Sequence, residues 1–552
     1  MHWLRLRIRS LIIPLTVRLQ FLLLLLLLSQ GVVLLRAEAA ALDPAPTVAE
    51  PWWRHAVTYE LLVRSFQDSD GDGVGDLAGV QSRLGYLHDL GVDALWLMPI
   101  FPSPSYHGYD VTDYRGVNAD YGTIDTFKQL LNSAHALGMH IILDVPLNHS
   151  SSHHPWFQAG LNDPQSPLRS RYVWRSTIPN WSALPNNASH WHQVGTDYYY
   201  AYFSASLPDF DWTNVDVYQQ LSASLKYWID LGVDGFRLDA ARYLVEGPNG
   251  ESDTAATHAI WQRLAAEMKA NQPGTLLVGE VWAGQSTINA YYGAGNELDQ
   301  CFAFPLAGGL LASLKSGDGT SFVNALSPML AAGAPQFFSA PFLTNHDQIR
   351  IATELAGNTA SLKLAAAALL TLPGTPYLYY GEEIGLPNGT NTASDQAKRT
   401  PMPWDHTLGS GRGFTNAAAP WEPFATDDPT IEVASESVDP DSLLATYQSL
   451  LALRHSEPGL ATGSAEIVPS ASAQIVVLKR VEVGATLLTV LNFGATAVTP
   501  LTMTVDWLGN MPAASVIFGQ VTVSTTLTDG KLAVSVPTIP PQSAAVLRLG
   551  DQ

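Results

Sequence analysis

Cysteine is nearly absent from this chain, since Cys301 is the single cysteine among 552 residues. One cysteine can form neither an intrachain disulfide nor a cysteine-based metal site. Basic residues are also scarce, with 29 lysines and arginines against 50 aspartates and glutamates and a formal net charge of −21. This excess of negative charge argues against nucleic acid or an anionic membrane as a partner. It suits a neutral substrate and bound cations.

A long apolar run lies within the first forty residues. Arginines precede it, the apolar core extends to Leu35, and Ala37-Glu38-Ala39 follows. A basic start, an apolar core and an A-x-A site predict a signal peptide at residues 1–39 and a secreted or extracytoplasmic protein. Its removal takes away five arginines and one glutamate, which leaves a formal net charge of about −25.

The alternative for this leader is an uncleaved N-terminal membrane anchor. Ser29, Gln30 and Gly31 interrupt the apolar core, which falls short of the ~20 residues that a spanning helix needs. We therefore expect cleavage near Ala39 and no stable membrane partner. An exported chain without disulfides fits a bacterial envelope or exterior better than a disulfide-rich secretion route.

Eight strand-like segments, most of them followed by a helical pattern, form the middle of the chain. Eight strand–helix repeats predict an α/β fold, the (β/α)8 TIM barrel. The segments are Val57–Phe66, Ala94–Ile100, His140–Leu147, Gly235–Ala240, Leu276–Trp282, Leu298–Pro305, Gln336–Asn345 and Pro376–Ile384. The helical patterns include Leu77–Leu90, Ile124–Leu137, Asp216–Leu231, Thr254–Asn271, Leu362–Leu372 and Leu443–His455.

Two further features divide the chain into domains. About ninety residues separate the third and fourth segments, and a loop that long predicts a functional insertion. Beyond the barrel, short β-branched runs with period-2 patterns predict an antiparallel β-sandwich, which we expect to be a structural cap because its aromatic residues are few. The catalytic barrel is predicted to begin at 52–149 and to resume at 208–458, with an inserted domain B at 150–207 and the C-terminal sandwich at 463–552.

The fourth segment carries two charges within an apolar run. Arg237 and Asp239 stand two residues apart, so on a strand their side chains point to the same face. Two charges on one face of a buried strand are costly unless they pair or take part in chemistry. The structural alternative is an ion pair that only holds the barrel together.

Three other segments place ionisable residues at strand ends. The third ends in Asn148-His149, the fifth in a Gly-Glu280 pair, and the seventh in His346-Asp347. Any one of them is a weak signal. In this order on successive barrel strands, all four segments converge on one mouth of the barrel.

Together these four segments resemble the signature regions of the α-amylase superfamily, glycoside hydrolase family 13, and the resemblance extends from about Trp52 to the C-terminus. It implies that Asp239 is the nucleophile of a covalent glycosyl-enzyme double displacement and that Glu280 is the acid and base. Asp347 resembles the third carboxylate, which holds the sugar hydroxyls. Retaining glycosidases need two carboxyls about 5–5.5 Å apart. We expect Arg237 to keep Asp239 ionised and neighbouring negative charge to raise the pKa of Glu280.

The resemblance also implies substrate-binding residues. His149 and His346 resemble the histidines that hydrogen-bond the reacting sugar, and Tyr109 resembles the tyrosine that stacks on it. The alternative for Tyr109 is an ordinary buried tyrosine. Arg399 resembles an arginine that pairs with the aspartate of the Gly-Tyr-Asp motif, here Asp110, and closes the site beyond that sugar. If this pair forms, we expect the enzyme to act on chain ends.

An acidic, glycine-rich loop follows the first segment. Its aspartates alternate along the chain and offer the hard oxygen ligands that Ca²⁺ prefers, although a solvated acidic turn is the alternative. It departs from an EF-hand because Gly79 stands at the twelfth position. The loop resembles the calcium loop of oligo-1,6-glucosidase-like members. The implied ligands are Asp68, Asp70, Asp72, the carbonyl of Val74, and Asp76.

A second calcium site, which would use Asn148, is in doubt. Many α-amylases have Lys-His three and four residues after the nucleophile, and Arg242-Tyr243 stand there. That histidine usually helps to bind a calcium between the barrel and the inserted domain. We therefore expect Ca²⁺ in the first loop and leave the second site open.

Two segments bear on the substrate. Leu207–Trp212 resembles the fifth signature of exported amylases intermediate between the oligo-1,6-glucosidase and neopullulanase groups. Ala240 follows the nucleophile, where small residues accompany α-1,4 specificity. We expect an α-amylase that cleaves α-1,4 bonds of starch and maltooligosaccharides. The alternatives are an exo-acting α-glucosidase or trehalose synthase and, more remotely, a non-catalytic membrane-anchored homologue, against which the three intact carboxylates argue.

Overall fold

The computed structural model describes residues 50–179, 187–247, 250–331, 339–391, 393–482 and 484–550. The signal peptide predicted at 1–39 lies outside these residues, as do 180–186 of the predicted inserted domain and the start of the strand predicted at Gln336–Asn345. Among the described helices, none has both the length and the hydropathy to span a membrane.

Eight short parallel strands form the central sheet. In chain order they are Thr58–Leu61, Ala94–Leu97, His140–Pro146, Gly235–Asp239, Leu276–Gly279, Gln300–Phe302, Ser339–Ala340 and Tyr377–Tyr379. From the first to the seventh, each pairs in parallel with the next, and the first also pairs with the eighth. A parallel bridge between Phe342 and Tyr377 connects the seventh strand region to the eighth and closes the sheet. The TIM barrel expected from the sequence is confirmed.

Alternate residues of these strands face opposite sides of the barrel wall. Tyr59, Leu95 and Leu143 belong to the large core between strands and helices, which a parallel sheet covered by helices requires. Their neighbours belong to a separate cluster that fills the barrel interior, including Trp96 and Ile142. On the first, third and fourth strands, the inward positions nearer the carboxyl ends are instead occupied by charged residues, namely Glu60, Asp144, Arg237 and Asp239.

The helices flank the barrel and begin at residues that cap them. Thr123, Asn214, Thr254 and Asn358 each accept a main-chain hydrogen bond at a helix start. The α-helices are Val63–Phe66, Leu77–Ser82, Leu84–Leu90, Ile124–Ala136, Pro155–Asn162, Val215–Leu231, Ala255–Asn271, Gln285–Ala290, Phe304–Ser316, Thr320–Leu330, Ile351–Glu354, Thr359–Thr371, Val433–Ser437, Leu443–Ser456 and Pro458–Ala461.

Most predicted strands extend beyond the observed ones, and one predicted helix is divided in two. The segment Val57–Phe66 is a four-residue strand followed by a helical turn, because all its residues are buried in either conformation and hydrophobicity does not mark the boundary. The helix predicted at Leu77–Leu90 is two helices that break at Arg83, whose backbone leaves the helical region. The remaining predicted helices differ from the observed ones by a few residues at their ends.

The insertion after the third strand contains a small antiparallel sheet. Its strands Trp174–Arg175, Asp197–Tyr200 and Trp191–Val194 lie in that order, and Val173, Trp191 and Tyr200 form a small core. A bridge between His149 and Asp209 fastens the end of the insertion to the end of the third barrel strand. The insertion therefore lies over the mouth of the barrel.

The C-terminal region packs two antiparallel sheets around their own core. The five-stranded sheet has the order Ser464–Val468, Ile475–Glu482, Ala485–Asn492, Ser543–Gly550, Ala513–Phe518, and the three-stranded sheet has the order Leu501–Asp506, Lys531–Val536, Ser524–Thr528. Val477, Leu488, Met503 and Val534 lie in this core. The predicted β-sandwich is confirmed.

Candidate active site

Charged side chains at inward positions of neighbouring strands meet at the carboxyl end of the barrel. Asp144 on the third strand lies directly opposite Arg237 on the fourth, and Pro146 lies opposite Asp239. Because residues two apart share a face, Arg237 and Asp239 both point inward. Glu280 follows the fifth strand, whose neighbour in the sheet is the fourth strand.

Arg237 is fully buried and contacts three carboxylates. Its Nη1 donates to Asp144 Oδ1 at 2.9 Å and to Asp239 Oδ1 at 2.6 Å, and its Nη2 lies 3.1 Å from Glu280 Oε2. Asp239 and Glu280 therefore contact the two terminal nitrogens of a single guanidinium group. The structural alternative was a simple ion pair that only holds the barrel together. The observed arrangement is more than that, because one cation contacts three buried carboxylates.

The backbone after Asp239 adds a contact to Glu280. Ala240 has a φ of 49°, in the left-handed region that non-glycine residues rarely adopt. In this conformation its N–H donates to Glu280 Oε2 at 2.9 Å. Backbone strain of this kind is concentrated at functional sites.

Burial raises the pKa of both carboxyls. The pKa of Asp239 is raised to about 6, first by burial and then by the charges of Asp144 and Asp347, while Arg237 opposes the rise. Burial also raises the pKa of Glu280 to about 7, and the charges of Asp239 and Asp347 act with it against Arg237. Arg237 thus acts on Asp239 in the expected direction, although burial outweighs it. The expected rise for Glu280 is present, with burial rather than neighbouring charge as its largest cause.

Asp347 carries the opposite shift. Burial favours its neutral form, but His346 and Arg399 outweigh burial and hold the pKa of this carboxyl well below its usual range. His346 Nε2 lies 3.2 Å from Asp347 Oδ2, and Arg399 Nη2 donates to Asp347 Oδ1 at 3.0 Å. Asp347 is therefore a fixed negative charge beside the titrating pair.

The pairing of Arg399 with Asp110, which would close the site, is not what the structure has. Arg399 binds Asp347 instead, and its Nε donates to the His346 carbonyl at 3.1 Å. Asp110 accepts hydrogen bonds from the hydroxyls of Ser103 and Ser105. The sequence places the arginine correctly in the site but not its partner, because the conformation of two loops decides which carboxylate it reaches.

Tyr109 and His149 present an aromatic face and a ring nitrogen to the same space. Tyr109 Oη lies 2.9 Å from Asp144 Oδ2 and 2.7 Å from His346 Nε2, and its ring stacks on His346 at 5.5 Å. Burial lowers the pKa of His149 to about 4, so its ring is neutral. Its buried Nε2 has no hydrogen-bond partner among the described residues. That nitrogen is available to a ligand hydroxyl.

A cavity of about 310 Å³ connects these groups. Its lining residues are His107, Tyr109, His149, Phe203, Leu207, Asp239, Glu280, Asp347, Asp395 and Arg399. A second hollow of about 200 Å³ shares Phe203 and Glu280 with it and adds Tyr243 and Trp282. The rings of Phe203 and Trp282 are about half exposed, at 48% and 49%. This is the mixture of aromatic faces and hydrogen-bonding groups that suits a carbohydrate.

Several residues of this site were not predicted. Asp144 lies in a predicted strand but was given no role, and Phe203 and Asp395 follow from no periodic signal. Trp282 was predicted as the end of a strand, which in the structure ends at Gly279. Glu60 on the first strand lies beneath His346, with its Oε1 2.5 Å from His346 Nδ1. Glu60 carried a detectable signal, a charge within a buried strand, which is the same signal that identified Arg237.

The acidic loop after the first strand brings three of its predicted calcium ligands together. Oxygens of Asp68, Asp70 and Asp76 lie within 4.8 Å of one another, whereas Asp72 does not belong to this set. Asp68 also accepts from Thr415 Oγ1, which ties the loop to a distant segment. Three carboxylates at this spacing fit the hard oxygen site that Ca²⁺ takes. These residues would hold the ion as a structural cation away from the reacting groups.

The region of the doubtful second site has its own partners. Arg242 pairs with Asp253 at 2.5 Å, and the ring of Tyr243 lies 4.3 Å from that of Tyr202. Oδ1 of Asn148 and Oδ2 of Asp209 are buried without a hydrogen-bond partner among the described residues. Arg242 and Tyr243 thus make contacts of their own, and a second calcium site at Asn148 stays an open prediction.

Known proteins agree with this geometry. The family model described as "Alpha amylase, catalytic domain" matches residues 60–463. Alpha-amylase 3 of Dictyoglomus thermophilum is 37% identical over 433 residues, which are 78% of this chain and 83% of that protein. A trehalose synthase/amylase of Mycobacterium tuberculosis is 32% identical over 477 residues, 77% of this chain and 78% of that one. The crystal structure of an α-amylase from H. orenii superposes with a TM-score of 0.78 and 36% identity, covering 90% of this chain and 99% of that one.

A barrel with this mouth and these relatives defines a glycosidase. The chain belongs to the α-amylase family, glycoside hydrolase family 13. It is an enzyme of the glycoside hydrolase class.

Proposed function

We propose that this enzyme is a retaining α-amylase that hydrolyses internal α-1,4 bonds of starch and maltooligosaccharides. The observation that carries the proposal is the contact of Asp239 and Glu280 with one buried guanidinium, with the pKa of Glu280 above that of Asp239. A nucleophile must be ionised and an acid protonated at the same pH, and this order of pKa values supplies both.

In the first half of the reaction, Glu280 gives its proton to the glycosidic oxygen while an Asp239 oxygen bonds to the anomeric carbon. The bond from that carbon to the leaving oxygen breaks, and a glycosyl-enzyme remains. In the second half, Glu280 takes a proton from water, whose oxygen displaces Asp239 from the anomeric carbon. Arg237 holds both carboxylates in place, and the fixed charge of Asp347 stabilises the oxocarbenium-like transition state.

Two observations support internal cleavage of α-1,4 bonds. Arg399 does not pair with Asp110, so the pair that would close the site beyond the reacting sugar is not formed. The half-exposed rings of Phe203 and Trp282 extend the site on the Glu280 side, where a continuing chain would lie. The small Ala240 supports α-1,4 specificity.

A second candidate is an exo-acting enzyme or a trehalose synthase. It is favoured by the position of Arg399 in the cavity wall, where it narrows the space beside Asp347, and by a relative named trehalose synthase/amylase. This candidate uses the same double displacement but requires a chain end or a small disaccharide.

The test uses purified enzyme and maltooligosaccharides blocked at the non-reducing end. Cleavage of the blocked substrate, with the α-anomer formed first in the proton NMR spectrum, is expected for a retaining endo-acting enzyme. Absence of cleavage with retained activity on free maltooligosaccharides would establish the second candidate. Asp239→Asn and Glu280→Gln should each lose turnover by several orders of magnitude. Asp234→Asn is a matched control, because Asp234 immediately precedes the same strand and binds His135 and His140.

We include Ca²⁺ and export in the proposal. The spacing of Asp68, Asp70 and Asp76 supports a bound Ca²⁺, and the sequence of residues 1–39 supports cleavage of a leader and an extracytoplasmic location. Mass spectrometry of the protein exported from a bacterial host tests the location. A mature N-terminus near Ala39 is expected, and an intact leader would establish the membrane-anchored alternative.

A further inference from the structure

Glu60 is a buried carboxylate that the reaction described above does not use. It stands at an inward position of the first barrel strand and is 2% exposed. Its Oε1 lies 2.5 Å from Nδ1 of His346 and accepts the main-chain N–H of His346 at 3.4 Å. Glu60 is not part of the cavity lining, so it acts on the site only through His346.

The other ring nitrogen of His346 also faces oxygen. Its Nε2 lies 2.7 Å from Tyr109 Oη and 3.2 Å from Asp347 Oδ2. The Tyr109 hydroxyl donates to Asp144, so it accepts from His346. An ionised carboxylate accepts hydrogen bonds and donates none. With a carboxylate against each nitrogen, both nitrogens must carry a proton, and the ring is an imidazolium.

We propose that Glu60 is a positioning residue that holds His346 as a doubly protonated cation and thereby fixes Asp347 and Tyr109 for the reacting sugar. The inference deepens the proposed glycosidase function and rests on it only for its kinetic consequences. Without the carboxylate of Glu60, the ring becomes neutral at a lower pH and keeps its remaining proton on Nε2, which faces Tyr109 and Asp347. The positive charge that holds Asp347 in place is then lost.

The charged surroundings of His346 favour this state. Carboxylates of Glu60, Asp144 and Asp347 lie around the ring, while the guanidinium groups of Arg399 and Arg237 oppose its protonation. Trp96 meets the ring edge-on at 5.7 Å and shields it from water. The negative charges outweigh burial and raise the pKa of His346 to about 9.

The direct test is the protonation state of His346, read from ring nitrogen shifts of histidine-labelled protein. The signal is assigned by its loss in His346→Gln. In the wild type, both nitrogens should remain protonated at pH 8. In Glu60→Gln the ring should lose one proton at a pH at least about one unit lower than in the wild type. A neutral ring in the wild type at pH 8 would overturn the proposal, and this readout does not depend on any substrate.

Kinetics give the second test, with Glu383→Gln as the matched control. Glu383 is equally buried and accepts from Tyr59 and Tyr86, away from His346. We expect Glu60→Gln to lower kcat about 10- to 100-fold with a small change in KM. Glu60→Asp should recover part of the loss. An unchanged kcat in Glu60→Gln, or an equal loss in Glu383→Gln, would refute the positioning role.

A wild type that acts on no α-glucan would refute the proposed function and leave the nitrogen shifts of His346 to decide this inference. Should Glu60→Gln fail to fold, the wild-type spectrum and Glu60→Asp still decide it.

Discussion

The mouth of the barrel and its junction with the sandwich bury arginine in opposite ways. Arg237 at the mouth contacts carboxylates, and although burial opposes it, their charges raise its pKa well above the usual value. Arg480 and Arg454 at the junction donate to main-chain carbonyls, including those of Leu460 and Gly463. Burial lowers the pKa of both, that of Arg454 to about 10.

The difference between the two places distinguishes a buried arginine that stabilises the fold from one that takes part in the chemistry of the site. Carbonyl dipoles, such as those at the end of the helix Thr359–Thr371, can accept from a guanidinium without introducing a second charge. Carboxylates introduce charges that are themselves costly to bury. The mouth of the barrel holds several carboxylates. Proton transfer and charge stabilisation require such groups, whereas the fold alone does not.

Removal of Arg237 should have the largest effect. Arg237→Met leaves Asp144, Asp239 and Glu280 buried without their shared cation. We expect turnover to fall at least about 10³-fold and the free energy of unfolding to fall by about 3–5 kcal/mol. Starch hydrolysis and urea unfolding measure the two effects. Arg237→Lys keeps the charge but loses the forked geometry, so its turnover and stability should lie between those of the wild type and those of Arg237→Met. Full activity in Arg237→Met would contradict the comparison.

Removal of Arg480 should affect stability alone. Arg480→Met leaves the carbonyls of Thr371, Ala461 and Gly463 without this donor, while the Leu460 carbonyl keeps Arg454. We expect a loss of about 2–4 kcal/mol in the free energy of unfolding, with kcat per folded molecule unchanged. Thermal unfolding and active-site titration check this. A loss of kcat in the folded fraction would show that the junction and the mouth are coupled.

Calcium removal tests a third way of compensating charge, in the acidic loop after the first strand. A chelator should lower the Tm, because an ion present at 100 times its Kd contributes about 2.7 kcal/mol. In buffer with Ca²⁺, Asp70→Asn should have a lower Tm than the wild type. The chelator should change the Tm of this variant little. Calorimetry with and without the chelator measures both. An unchanged Tm in the wild type would favour the solvated acidic turn.

The smallest expected effect is a narrow pH optimum. Activity is lost as the pH falls through about 6, where Asp239 gains a proton, and as it rises through about 7, where Glu280 loses one. The profile of kcat/KM reports these as values of the coupled pair. Arg480→Met should leave both limbs in place. A broad plateau from pH 5 to 9 would contradict both values, because it requires one pKa below 5 and the other above 9.

The sequence predicted the features of the site that depend on strand alternation. Arg237 and Asp239 follow from a two-residue spacing on one strand, and the eight strands follow from repeated patterns. Glu60 obeys the same rule but was not predicted. The first segment was interpreted as one long strand, and its residues were not assigned to the inward or the outward face. The partner of Arg399 and the positions of Phe203 and Trp282 depend on loops that the barrel brings together, and no local pattern encodes that proximity.

Ala240 joins the backbone of the barrel to the acidic group of the site. Its left-handed conformation gives Glu280 a main-chain hydrogen bond, and a small residue tolerates that conformation better than a β-branched one. A bulkier residue here would therefore act twice, once on the space of the cavity and once on the backbone that orients Glu280. The side chain at this position is constrained by main-chain geometry as well as by the ligand.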